Sequence, residues 1–235
     1  MADFTMRDRY GFEDLRQLVK VLRAPDGCPW DSIQTHESIR RNFIEEVYEA
    51  CEAIDNRDSE LLKEELGDVL LHVVFHAGIE EDAGRFTIDD VCDKVVKKMI
   101  SRHPALFGGE GGLSWDELKR REKGYDSLEQ ELSSVAKSLP ALWRAEKIQK
   151  KTEKAGFELD QTLPNANQVL ASDDPEKTIG DLLFRAVAMA RTLGVDPEQA
   201  LHRRCDAFPS EICKGNTDEI PAHVLTADFP PDFVS

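Results

Sequence analysis

The sequence predicts an all-α protein on three observations. Apolar residues recur at three- and four-residue intervals through most of the first hundred positions, the spacing that gathers them on one face of a helix. Proline- and glycine-containing breaks and capping signals divide these runs into segments of helical length. No stretch alternates apolar and polar residues over a useful strand length.

Helix one is expected over about Gly11–Arg23, where Phe12, Leu15, Val19 and Leu22 share a face. Ala24-Pro-Asp-Gly-Cys-Pro-Trp-Asp31 ends it, because proline cannot donate a backbone hydrogen bond and glycine frees the chain to turn. Helix two is expected over about Thr35–Asn56, with Ile39, Phe43, Val47, Ala50 and Ile54 as its apolar face, and helix three over about Ser59–Asp82. Leu66–Ile79 is apolar nearly all round, the pattern of a buried helix. Thr87-Ile-Asp-Asp90 has the form of a capping box with Asp in place of Glu and opens helix four, which runs to Arg102. A glycine-rich loop follows at Phe107–Leu113, then a short helix carrying Trp115 and Lys119.

Composition excludes several classes. The chain has 235 residues, enough for one or two domains with a real core. Its net charge of −16 argues against a nucleic-acid-binding surface. No apolar run approaches the length of a membrane span, and the first residues lack a signal-peptide core, so a cytosolic (cytoplasmic) protein is expected. Five cysteines include no CxxC pair, which disfavours a zinc site or disulfide framework; Cys51 and Cys92 occupy apolar helix positions and are expected in the core.

The chemistry concentrates at Glu45-Glu46-Val47-Tyr48-Glu49 and Glu65-Leu66-Gly67-Asp68. At ~100° per residue, Glu45, Glu46 and Glu49 fall within one arc of about 100°, and Glu65 and Asp68 are neighbours one turn apart. Glutamates on helix two alone would suit an ordinary solvated face. Helix three decides otherwise: its polar residues Glu65, Asp68, His72 and His76 form a stripe of roughly 80° on an otherwise apolar helix, and such a stripe needs a polar partner. The acidic face of helix two supplies it. Carboxylates that converge cannot all stay ionised without a counter-charge, which a hard divalent cation provides. The pattern therefore predicts a Mg²⁺ site, with Mn²⁺ as a possible substitute.

Helix four adds Lys94, Lys98 and Arg102 at four-residue spacing. Such a stripe is commonly just a solvated face, but beside a carboxylate-held metal it suits phosphate oxygens. With an aromatic residue, Trp30 or Trp115, to stack a base, these features describe a pocket for a nucleoside phosphate.

The combination resembles the MazG family of nucleoside triphosphate pyrophosphohydrolases. The resemblance lies in the EExxE…ExxD pattern, Gly27-Cys-Pro-Trp-Asp31 with Gln34-Thr35, and Gly67-Asp-Val-Leu-Leu-His-Val-Val-Phe-His76. Gly84-Arg-Phe86, Arg102-His-Pro-Ala-Leu-Phe107 and Trp115-Asp-Glu-Leu-Lys119 extend it over about residues 11–123. It implies the all-α NTP pyrophosphatase fold, with the catalytic helix pair packed in a dimeric four-helix core, and a homodimer or higher homo-oligomer. It also implies Mg²⁺-dependent hydrolysis of nucleoside triphosphates to monophosphate and pyrophosphate. Glu46, Glu49, Glu65 and Asp68 then stand at metal-ligand positions and Glu45 at the residue that orients or deprotonates water. Lys94, Lys98 and Arg102 stand at phosphate-contacting positions, and Trp115 and Lys119 near the nucleotide.

A second, weaker copy is visible 113 residues on, where Gly180-Asp-Leu-Leu-Phe-Arg-Ala-Val echoes Gly67-Asp-Val-Leu-Leu-His-Val-Val. Lys177 and Thr178 stand where the first copy has Glu64 and Glu65, no EExxE precedes them, and Asp181 survives alone. Residues 1–125 are thus expected to be the catalytic domain and 126–235 a shortened, degenerate repeat. Three rivals are a pyrophosphatase dedicated to one metabolite (dUTP or phosphoribosyl-ATP), a di-iron carboxylate bundle suggested by His72 and His76, and a non-enzymatic interaction module.

Overall fold

The computed structural model describes residues 4–108 and 123–215, and every regular element among them is a helix. These are α1 (Phe12–Arg23), α2 (His36–Asn56), α3 (Ser59–Asp82), α4 (Ile88–Arg102), α5 (Leu128–Ser133), α6 (Ala141–Lys154), α7 (Ala166–Leu170), α8 (Pro175–Thr192) and α9 (Pro197–Gly215). The first four agree with the expected segments to within a residue. The short helix expected around Trp115 and Lys119 lies outside the described residues. The chain divides into two compact units, residues 1–119 and 120–235.

In the first unit, local chemistry sets the helix ends. The Thr35 hydroxyl accepts from the Ser38 amide to start α2, Asp58 accepts from the Glu60 and Leu61 amides to start α3, and Thr87 with Asp90 forms the expected box at α4. Only Arg57 and Asp58 separate α2 from α3. Arg57 takes the left-handed conformation (φ 56°) and ends α2, while the Asp58 amide bonds back to the Ala53 carbonyl at 3.0 Å. So short a connection folds the helices back on each other as a hairpin.

The core lies where α1 and the N-terminal turns of α2 and α4 meet α3, around Val19, Ile39, Val74, Phe75, Ala77 and Ile88. A Cβ on Gly78 would come within 3.3 Å of Val19 Cγ1, so glycine lets α1 approach α3 closely. At Gly27 a Cβ would sit 2.2 Å from the Val21 carbonyl oxygen, so the turn after α1 admits no larger residue. Arg23, its side chain only 8% exposed, pairs with Asp82 at 2.9 Å and donates to the Asp31 carbonyl at 3.1 Å, tying the loop after α1 to α3.

Two expectations about burial are corrected. Helix α3 is buried on one side only: Leu66 is 53% exposed and Leu70 is exposed as well, as are Val47 and Ile54 on α2. Periodicity identifies an apolar face without saying which molecule covers it. Cys92 is exposed, because none of the described residues packs over the side of α4 that holds it, whereas Cys51 is half-buried.

The second unit packs α6 against α8 through Val187, Ala188 and a fully buried Gln149, whose side-chain amide donates to the Phe184 carbonyl at 2.6 Å. A neutral polar group so buried must be hydrogen-bonded, and this bond fixes the register of the two helices. Trp143 Nε1 donates to Asp196, which also caps α9 through the Gln199 amide.

A polar clamp closes the far end of the hairpin. Glu80 accepts two bonds from the Arg85 guanidinium (2.5 and 2.8 Å) and faces His36 Nε2 at 2.6 Å; His36 Nδ1 in turn faces His76 Nδ1 at 2.7 Å. The bonds from Arg85 and then His36 hold the Glu80 carboxyl down to about 2. A carboxyl depressed in the folded state stabilises the fold above its ordinary value of 4.5 and loses that contribution as pH falls toward 2. Glu80→Gln is expected to lower Tm at neutral pH and to flatten the fall of Tm between pH 4.5 and 2. Thermal melts across that range, giving parallel acid limbs for wild type and variant, would refute the assignment.

Candidate metal centre

Glu46 and Glu49 on α2 and Glu65 on α3 each offer a carboxylate oxygen, and these oxygens all lie within 4.8 Å of one another. The three sit side by side because the Arg57–Asp58 turn sets the first turns of α3 against the second half of α2. Glu65 is buried, Glu46 half-buried and Glu49 exposed, so the group forms a shallow recess open on one side. Burial first, and then repulsion from Glu49 and Glu46, push the Glu65 carboxyl above its ordinary range. Burial, Asp68 and Glu49 do the same to Glu46. Asp68 acts on both residues and so faces the same recess from one turn along α3, although its oxygens stand outside the close group.

The residues fit a hard divalent cation. The donors are all carboxylate oxygens, the preference of Mg²⁺ and Mn²⁺, and their repulsion marks a missing positive charge. No histidine belongs to the close group, and a di-iron site built from His72 and His76 gains no support: His76 is bonded to His36, and the ring of His72 lies against Phe43.

The remaining expected residues are placed as follows. Glu45 is exposed and bonded to Arg41 Nε at 2.8 Å, on the solvent side of α2. Lys94 is exposed while Lys98 and Arg102 are half-buried, all on α4, which packs against α3. Trp30 is exposed on the loop after α1. Trp115 and Lys119 lie outside the described residues.

The sequence reading missed His36, Glu80 and Arg85. Four-residue steps carry the stripe onward from Asp68 through His72 and His76 to Glu80, so Glu80 was within reach of the same periodicity. His36 and Arg85 come from other segments and have no such signal. The clamp they form keeps the two helices together beyond the acidic recess, where His72 Nδ1 is buried without a partner among the described residues.

In the second unit Asp181, the surviving acid, accepts from Lys177 at 2.6 Å, and that bond pulls its carboxyl below the ordinary range. Its direction is opposite to that of Glu65 and Glu46. The chain itself supplies the counter-charge there.

Residues 34–107 match the MazG nucleotide pyrophosphohydrolase domain family. The chain is 40% identical over 216 residues to the Thermotoga maritima nucleoside triphosphate pyrophosphohydrolase/pyrophosphatase MazG, a match covering 86% of this chain and 84% of that protein. It is 35% identical over 217 residues to the Escherichia coli (strain K12) nucleoside triphosphate pyrophosphohydrolase, covering 83% and 82%. It is also 39% identical over 218 residues to the uncharacterized protein YabN of Bacillus subtilis, covering 84% of this chain but 44% of that longer one. The acidic hairpin falls within the matched domain, and the likeness continues through the second unit: the chain belongs to the MazG family.

Proposed function

We propose that this chain is a nucleoside triphosphate pyrophosphohydrolase, converting a nucleoside triphosphate and water to the monophosphate and pyrophosphate. The observation that carries the reading is the group formed by Glu46, Glu49 and Glu65 with Asp68 beside it, in a chain similar along most of its length to enzymes named for that reaction. A role in cleaning the nucleotide pool and a cytoplasmic location fit this reading; no described helix is long and apolar enough to cross a membrane.

In this proposal Glu46, Glu49, Glu65 and Asp68 hold Mg²⁺, or Mn²⁺ in its place. When bound, the ion neutralises charge on phosphoryl oxygens and acidifies water. Lys94, Lys98 and Arg102 grip the phosphates by charge-assisted hydrogen bonds and steady the departing pyrophosphate. Water attacks the α-phosphorus, the bond to the bridging oxygen breaks, and pyrophosphate leaves with its electron pair. Glu45 takes the proton of the attacking water, a step contributing ~10²–10⁴-fold. To do so it must release Arg41, and an exposed pair four residues apart on a helix holds by only ~0.3–0.5 kcal/mol. Trp115 and Lys119 complete the nucleotide end.

The active form is proposed to be a homodimer. Val47, Ile54, Leu66 and Leu70 on the hairpin and Val95 and Met99 on α4 are all exposed, and large apolar residues left exposed in such number mark an interface. A second hairpin laid on the first would make the four-helix core. Residues 126–235 are read as a repeat that has lost its metal.

Four outcomes are expected. Glu49→Gln and Asp68→Asn should each lower kcat/KM with Mg²⁺ by well over tenfold, a loss above ~1.4 kcal/mol, and should abolish the rise in Tm that Mg²⁺ gives the wild type; Asp181→Asn should change neither. Product analysis with α- and γ-labelled triphosphates checks the position of attack, and release of inorganic phosphate alone would refute it. Arg102→Ala should weaken binding of a triphosphate, costing ~1.5–3 kcal/mol, while leaving a monophosphate nearly unaffected; equal loss for both would reduce Arg102 to a structural role. Leu66→Glu should give a monomer by sedimentation, and an unchanged dimer would move the interface elsewhere.

A further inference from the structure

We propose that the second unit holds a binding site for a small aromatic phosphate monoester, in the cavity between α6 and α8 where Arg144 and Lys137 supply the positive charge. The cavity has a volume of about 450 Å³, within the ~300–1,000 Å³ of small-molecule sites. Leu139, Leu142, Ile148, Leu183 and Phe184 make its apolar wall, and Arg144 and Lys137 are the only charged residues lining it among the described residues.

Those two cations are the telling feature. In a chain of net charge −16, many basic side chains have an acid beside them, as Lys150 has Glu146 and Lys151 has Glu131 in this same unit. Among the described residues, neither Arg144 nor Lys137 makes a side-chain hydrogen bond or ion pair, and Nε of Arg144 is buried with no acceptor. Guanidinium is always charged and can only donate, so a buried N–H on it calls for an acceptor, and an anion would also meet its charge. The acid on the adjoining stretch of α8, Asp181, is already taken by Lys177.

Gly180 is a separate pointer. It lies inside α8, where glycine weakens a helix relative to alanine. Nothing among the described residues requires it, because a Cβ built there meets none of their atoms within 4 Å. The missing side chain instead deepens the cavity that Gly180 lines.

Charge and shape name the ligand class. A phosphate monoester carries roughly 1.5 to 2 negative charges near neutral pH, which two cations match. A triphosphate would need a carboxylate-held metal, and the only such close group among the described residues is the one in the first unit. Phe184 and the leucines offer a face for an aromatic body. The site is independent of the hydrolase reading, since it shares no residue with it.

The test is a fluorescence titration of the full chain with 1-naphthyl phosphate in excess EDTA, so that no metal-dependent binding contributes. Saturable binding of one ligand per chain is expected. Arg144→Gln should weaken it by about tenfold or more, as loss of a charge-assisted bidentate contact does, while Arg144→Lys, which keeps the charge but loses the planar fork, should restore only part of it. Gly180→Leu, which fills open space and leaves every charge in place, should abolish binding with the helical circular dichroism intact. Glu49→Gln should bind like the wild type, so that loss of the catalytic reading leaves this site standing. Absence of saturable binding, or full affinity in Arg144→Gln, would overturn the proposal. So would a change of sedimenting species in Gly180→Leu, because a second copy of the chain would then be what fills the cavity.

Discussion

The first unit is organised around a repulsion. Glu46, Glu49 and Glu65 bring like charges within 4.8 Å on two helices joined by two residues, and the surrounding structure must hold that arrangement closed. The Arg57–Asp58 turn fixes one end of the hairpin. Val74, Phe75 and Ile39 bury its middle against α1, and the Glu80 clamp fastens the far end. What repulsion remains is visible in the raised carboxyls of Glu65 and Glu46. A recess in that condition gains stability from any divalent cation it binds, so metal affinity and fold stability are linked.

Acids of the same kind meet opposite fates along α3 and its counterpart. Glu65 faces other carboxylates and is pushed up; Glu80, four turns further on, faces Arg85 and His36 and is pulled down to about 2. Asp181 on α8 resembles Glu80 in this respect, because Lys177 neutralises it. An acid compensated by the chain's own cation does structural work and has no vacancy for a metal. An acid surrounded by acids is waiting for a ligand. The direction of the shift therefore separates the two halves of the chain more sharply than their shared Gly-Asp-aliphatic sequence unites them.

The exposed apolar residues follow from the same geometry. A hairpin whose polar stripe must stay reachable by substrate cannot be wrapped on every side by its own chain. Here α1 covers one flank, while Val47, Leu66 and Leu70 stay open. In the proposed homodimer this antiparallel helix pair would be half of a four-helix core. That assembly would give the all-round apolar pattern of Leu66–Ile79 a physical sense that burial within a single chain does not.

Much of this protein was legible in its sequence because the signals are local. The start of α4 was readable from Thr87, whose side chain caps an amide three residues away. The acidic recess was readable because a three-residue step puts Glu65 and Asp68 on one side of a helix, and a short turn leaves that side no partner but the previous helix. That Lys177 and Thr178 stand where the first copy has Glu64 and Glu65 was readable by register alone. What the tertiary structure decided are the meetings of distant segments: His36 with His76 and Glu80, Arg23 with Asp82, Gln149 with the Phe184 carbonyl, and the unpaired Arg144 in its cavity. Periodicity states which residues share a face of one helix. Which faces close on each other, and which charges are left without a partner, depends on packing between elements, and no single-helix pattern encodes that.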